Sequence, residues 1–169
     1  CVRWHPGKNR ALIVHKYAGT SMGSVERIQQ VAKRVAKWAR AGHQMVVVPS
    51  AMSGETNRLL GLAREIAPAH STPSTLREMD MIAATGEQVS VGLLSLALQA
   101  EGMPAISFAG WQVPVHTDSA YTKARIRQID DERVRAALGA GKVVIITGFQ
   151  GIDDQGNITT LGRGGSDTS

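Results

Sequence analysis

Four short apolar runs set what this chain can fold into: ALIV at residues 11–14, MVVV at 45–48, PAISF at 104–108 and KVVIIT at 142–147. Each reads as a strand; MVVV, closed by Pro49, has the uninterrupted apolar character of one buried on both faces, and KVVIIT is the strongest of the four. Helical periods lie between them. Val25, Ile28, Val31, Val35 and Trp38 recur at helix spacing, with Ser24 placed as an N-cap, Glu26 in the first turn and Gly42 where the helix should end. A second period passes through Leu59, Leu60, Leu62, Ala63 and Ile66. A third covers residues 76–100, with an expected interruption at TGE (85–87) and with Val89, Leu93, Leu96, Ala97 and Ala100 as the apolar face of its second part. A short fourth spans residues 130–139. Strands alternating with helices predict a mainly parallel sheet with helices on both faces, a three-layer αβα sandwich.

The connections fit that plan. PAHSTP at 68–73 reads as a loop rather than a linker, because apolar periodicity resumes beyond it. Residues 110–118 alternate only weakly. The stretch GFQGIDDQGNITTLGRGG reads as a hairpin with DDQGN as its turn and residues 158–161 as its return. The length of 169 residues suggests one domain, without internal repeats.

Composition narrows the functional classes. Aromatics make up only 4% of the chain, so aliphatic side chains must form the core. No continuous apolar run approaches the roughly 18 residues of a membrane helix, and CVRWHPGKNR at the start has no apolar signal segment. The one cysteine, Cys1, cannot form an intramolecular disulfide, in keeping with a reducing cytoplasm. A net charge of +5 invites a nucleic-acid partner. Yet the densest cations, Arg27, Lys33, Arg34, Lys37 and Arg40, interleave with the first helical period and read as its wet face. No zinc-ligand spacing occurs among His5, His15, His43, His70 and His116.

Chemistry concentrates in the loops that follow strands, where ligands of parallel sheets collect. KYAGTS places Lys16, Ala18, Gly19, Thr20 and Ser21 between a strand and a helix start, a position that suits a phosphate and also a plain geometric turn. It is not a Walker A loop, and no complete G-x-G-x-x-G occurs. SAMSGET (50–56) is rich in hydroxyls, with Ser53 as its simplest helix cap. Glu87, beside Gly86 and next to an apolar helix face, needs a cationic partner, either a ligand ammonium or an internal Arg. Arg163 stands among glycines before Ser166 and Asp167; its planar fork matches a carboxylate or phosphate, and a plain exposed hairpin end is the alternative.

Taken together, LIVHKYAGTSMGSVERI, VVVPSAMSGETNRL, ATGEQVSVGLLSLAL and VVIITGFQGIDDQGNITTLGRGGSD, in that order, resemble the aspartokinases of the amino-acid kinase family. The resemblance covers residue 11 to the end and leaves 1–10 as an extension outside it. It implies the amino-acid kinase (carbamate kinase-like) fold, represented by an N-terminal, amino-acid-binding lobe that is incomplete after residue 169. It implies transfer of phosphate from ATP, with Mg²⁺, to the side-chain carboxylate of L-aspartate. That is the first step toward lysine, threonine, methionine and diaminopimelate, in a cytoplasmic homo-oligomer with no nucleic-acid or membrane partner. By motif matching, Lys16, Tyr17, Ala18, Gly19 and Ser50 would handle ATP phosphates, and Thr56, Glu87, Arg163, Gly164, Gly165 and Ser166 would hold aspartate. Lys16 and Asp167 would carry the catalytic charges, and no residue is assigned as a metal ligand.

Two departures bear on competence. The family pattern has glycine where this chain has Ala18, and a Cβ would obstruct there if the backbone needed positive φ or close phosphate approach. The family continues beyond GGSD into a helix, a nucleotide-binding lobe and regulatory domains. The residues present are therefore also consistent with a non-catalytic amino-acid-binding module that needs a partner lobe, and with a sheet face left partly uncovered.

Overall fold

A computed structural model describes residues 3–4, 12–68, 72–113, 115–117, 126–129, 132–148, 150–152, 155 and 157–160. Along the described chain the elements are β1 (Arg3–Trp4), β2 (Leu12–Tyr17), a 3-10 turn (Gly19–Met22), α1 (Val25–Arg40), β3 (Gln44–Pro49), α2 (Glu55–Ile66), α3 (Pro73–Ala100), β4 (Ala105–Phe108), β5 (Val115–Thr117), β6 (Ile126–Ile129), α4 (Glu132–Gly139), β7 (Val143–Ile146), β8 (Gln150–Ile152) and β9 (Ile158–Thr160). The main sheet has the order β1-β2-β3-β7-β4. Its β2, β3, β7 and β4 are parallel, and β1 is an antiparallel edge with Arg3 opposite Ile13. A smaller sheet, β6-β5-β8-β9, carries the expected hairpin, with Ile152 opposite Ile158 across the DDQGN turn.

Alternation along β3 divides the core. Met45 and Val47 turn to one face, where they pack with Ile13, Val143 and Ile145 under Ile28, Val31 and Val35 of α1 and Val91, Leu94 and Leu98 of α3. Burying aliphatic side chains of this size contributes about 1.5–3 kcal/mol each. Val46 turns the other way, with Val144 and Phe108, against Ala137 and Leu138 of α4. That second face is covered less fully: Leu12, Val14, Ile106 and Ile146 at its margin are only half-buried.

Local signals account for most boundaries. Ser24 caps α1 by accepting from the Arg27 amide, and Gly42, at φ 95°, ends it in the left-handed region that disfavours side chains. Arg27, Lys33, Arg34, Lys37 and Arg40 are all exposed, as the amphipathic pattern requires. Pro49 is the last residue of β3 rather than a stop before it, and it is harmless there because pairing with β7 is recorded only as far as Val47. Pro73 opens α3 at a position where its missing N–H costs nothing, so the helix takes the end of the expected loop.

Helix α3 departs from the pattern in two ways. It runs unbroken through TGE, because Gly86 is a packing residue and not a break. Its buried side holds Val91, Leu94 and Leu98, whereas Val89 and Leu96 are 52% and 62% exposed. The helix is apolar around much of its circumference, so its period alone could not tell which side meets the sheet. It is also long and apolar enough, by length and composition, to cross a membrane. Here its inner side is the core helix of the sandwich, with Asp80 1% exposed.

Candidate active site

The described parts of the site gather at the carboxyl ends of β2 and β3. The parallel register sets Lys16 beside Val48 and Tyr17 beside Pro49, so the loops KYAGTS and SAMSGET leave the sheet side by side. The Ser50 amide donates to the Tyr17 carbonyl at 2.8 Å, tying the two together. That N–H is thereby used within the protein, and Ser50 offers a ligand its exposed hydroxyl.

Glycine allows the loops to touch. A Cβ on Gly19 would stand 3.1 Å from the Ala51 carbonyl oxygen and 3.5 Å from Ser53 Cα. A Cβ on Gly86 would stand 3.2 Å from the methyl of the same Ala51 and 3.6 Å from Glu55 Cγ. The turn after β2, the loop after β3 and the TGE stretch of α3 therefore meet at one buried alanine. Lys16, Gly19, Ser50, Thr56 and Glu87 are carried on these three segments. Lys16 and Ser50 are exposed, while Thr56 and Glu87 are half-buried.

Two element starts in this cluster lack a side-chain cap. The 3-10 turn begins after Ala18 and α2 after Gly54, each without one, whereas Ser24 and Thr72 cap α1 and α3. Ser53, expected as the cap of α2, does not serve: Gly54 at φ 77° holds that position, and the left-handed residue turns the chain into the helix. Neither start has a side chain on the positive end of its peptide dipoles, which suits an anion, although the Ser21 and Glu55 amides are already used, donating to the Ala18 and Met52 carbonyls. Arg27 of α1 donates to the Thr20 carbonyl at 2.7 Å and anchors the turn from behind.

The backbone at Ala18 is extended, at φ −72° and ψ 164°, a conformation any residue adopts. Its methyl is exposed. Replacing Ala18 with glycine is therefore expected to leave turnover in the full-length protein within about twofold of wild type, because no strain is relieved. A gain of tenfold or more in kcat would show that the methyl stands in the way of the phosphates.

Tyr17 is 8% exposed, and its ring belongs to the α1 side of the core. Burial raises its pKa, against a hydrogen bond and positive charge from Arg34. Its hydroxyl lies 3.5 Å from His15 Nδ1, and the His15 ring meets Tyr17 and Trp38 edge-on. Burial, with Arg34 adding to it, lowers the His15 pKa below its ordinary 6.5. The folded protein thus binds this proton less well than the unfolded chain. His15's contribution to stability is complete above pH 6.5 and is lost as the pH falls below it. Thermal melts at pH 7.5 and 5.5 should show a smaller acid-induced drop in Tm for His15→Gln than for wild type. Parallel drops would remove His15 as the cause.

Arg163, Gly164, Gly165, Ser166 and Asp167 lie outside the described residues. The hairpin leading toward them is tied to α3, where Arg77 Nε donates to Asn157 Oδ1 at 2.7 Å. Two residues of this region escaped the sequence reading. Asp80 sits on α3 two helical turns before Glu87, a carboxylate on a buried stripe, and that placement was its only sequence signal. Ala51 carried none.

A model of the amino acid kinase family matches residues 11–169. An aspartate kinase of Pseudomonas fluorescens (strain SBW25) is 60% identical over 159 residues, covering 94% of this chain and 38% of that protein. The crystal structure of an aspartate kinase from Synechocystis superposes with a TM-score of 0.78 at 49% identity, over 94% of this chain and 25% of that one. The structure of E. coli aspartokinase III in complex with aspartate and ADP superposes with a TM-score of 0.79 at 24% identity, over 92% and 44%. The chain therefore spans about two fifths of the length of the curated relatives it matches.

Proposed function

Because the chain belongs to the amino acid kinase family, we propose that it forms the aspartate-holding and phosphate-turn part of an aspartate kinase, which transfers the γ-phosphoryl group of ATP to the side-chain carboxylate of L-aspartate. The observation that carries this reading is the meeting of three segments at Ala51. It sets an uncapped, glycine-bearing turn with Lys16 beside the helix that carries Glu87. The aspartate kinases at 60% and 49% identity match across these same segments.

The chemistry asks little of the protein beyond placement. The side-chain carboxylate of aspartate is ionised at neutral pH, so one of its oxygens attacks the γ-phosphorus with no proton to remove. The new P–O bond gives an acyl phosphate as the bond to the β-phosphate oxygen breaks and ADP departs. Lys16 and the amides of the turn after Ala18 face the charge that spreads over the transferring oxygens. Glu87 takes the α-ammonium, and Arg163 takes the α-carboxylate as a fork. Thr56 and Ser166 add hydroxyls, and Asp167 orders the charges around the reacting group.

The described residues contain no cluster of three or more His, Cys, Asp or Glu that could hold a metal ion. A magnesium ion would fit as one carried largely by phosphate oxygens and water, where it neutralises charge on the β- and γ-phosphates. An enzyme drawing on free aspartate and ATP would work in the cytoplasm.

The test is a coupled assay of ADP release in the full-length protein, with the acyl phosphate product trapped by hydroxylamine as aspartyl hydroxamate and phosphate released. ADP and hydroxamate should appear together and only when aspartate is present. Absence of aspartate-dependent ADP would overturn the proposal.

A further inference from the structure

Gly19 and Gly86 both lie against Ala51, one at its carbonyl oxygen and the other at its methyl, and neither has a backbone that requires glycine, since positive φ occurs at Gly42, Gly54, Gly102 and Gly141. Gly86 lies inside α3, where alanine would be the more favourable residue. Space is tight there: its Cβ would come 3.2 Å from the Ala51 methyl, so one of the two segments would have to give by a few tenths of an ångström. Other helical glycines make the contrast, because a Cβ on Gly61 of α2 or Gly92 of α3 would meet nothing within 4 Å. Gly19 is the mirror case, with its missing Cβ 3.1 Å from the Ala51 carbonyl oxygen, a backbone atom that cannot swing aside. Ala51 itself is 7% exposed and is followed directly by the loop that starts α2.

Resting on the aspartate kinase reading above, we propose that Ala51 is a positioning residue: its methyl and carbonyl form the spacer that sets the distance between the phosphate turn at Gly19 and the α3 segment bearing Glu87. The turn belongs to the phosphate half of the site and the helix to the aspartate half. With bare glycine against both its carbonyl and its methyl, Ala51 is in contact with both segments, so a shift of either one presses on it. Added bulk at Gly86 would push the turn and the helix apart by a few tenths of an ångström. Each half would still bind its own substrate, but attacking oxygen and phosphorus would lose alignment, to which transfer rates are steeply sensitive.

The experiment compares kcat and both KM values for wild type, Gly86→Ala, Ala51→Gly, the double variant and Gly92→Ala in the full-length protein, with melting temperatures alongside. Gly86→Ala should lower kcat about tenfold, with KM for aspartate and for ATP within about threefold of wild type. Adding Ala51→Gly makes room for the new methyl and should restore kcat to within about threefold. Gly92→Ala should match wild type throughout. If wild type itself shows no aspartate-dependent turnover, the functional reading has failed, and the spacer role with it. If wild type is active, a Gly86→Ala kcat equal to wild type would overturn the spacer role alone. So would a loss that Ala51→Gly does not rescue. Should Gly86→Ala fail to fold, Ala51→Gly alone decides: a methyl-sized gap should lower kcat at least about threefold, and an unchanged kcat would overturn the proposal.

Discussion

Lys16→Met in the full-length protein is expected to lower kcat by about 10²- to 10³-fold while KM for aspartate stays within about threefold, because the role proposed for Lys16 is to face charge that develops during transfer and not the amino acid. Lys16 is the penultimate residue of β2, with Val48 as its neighbour in register, and it is exposed close to Ser50 and the turn after Ala18. A point charge in that position is worth most when the γ-phosphoryl group is between donor and acceptor. Methionine keeps the length of the stem and removes only the ammonium. Steady-state kinetics with both substrates varied makes the check. A rise in KM for ATP with kcat intact would mean that Lys16 only grips bound nucleotide and takes no part in the transfer step. Lys16→Arg should recover little, since a planar fork on a longer side chain cannot take the place of a compact ammonium.

Glu87→Gln should raise KM for aspartate by about 100-fold, with KM for ATP within about twofold. Glu87 is half-buried, one residue after the glycine that packs on Ala51, so its surroundings are partly desolvated. Breaking a hydrogen-bonded charge pair in such surroundings costs roughly 2–5 kcal/mol, and about 2.7 kcal/mol corresponds to the 100-fold change. The glutamine keeps the shape and loses the charge, so helix α3 should stay in place and the melting temperature should change little. Succinate, which has the side-chain carboxylate but no ammonium, should be a poor substrate for wild type and should lose little further in Glu87→Gln. If succinate and aspartate suffered equally, Glu87 would not be the group that reads the ammonium.

Much of the scaffold was legible because it depends on periods and end signals that are local. Four apolar runs became the four parallel strands, and Ser24 and Gly42 bracket α1 as their chemistry demands. Strands β8 and β9 pair antiparallel, as the two arms of the expected hairpin. Local signals failed where a residue acts through a neighbour distant in sequence. Gly86 resembles a helix break in the sequence and is a contact surface in the fold, because Ala51 lies against it. The side of α3 carrying Val89 and Leu96 has the same period as the side carrying Val91, Leu94 and Leu98, and only the sheet and α1 distinguish them. Ser53 has the right chemistry for a cap, yet the left-handed turn at Gly54 takes its place. Strands β5 and β6 are only 3 and 4 residues long, too short to show a period. Edge strand β1 exists through its pairing with β2.

By itself the sequence determined the alternation of strands and helices, the loops that carry the chemistry, and the family those loops resemble. Spacing and residue type are properties of the chain, and they survive without any knowledge of contacts. Tertiary structure decided the strand order β2-β3-β7-β4, the face on which α3 is buried, and the meeting of Gly19, Ala51 and Gly86. Those depend on which surfaces exclude water from one another and on where a missing methyl leaves room. An alanine with no chemistry of its own is where the three segments meet, and only its neighbours could show that.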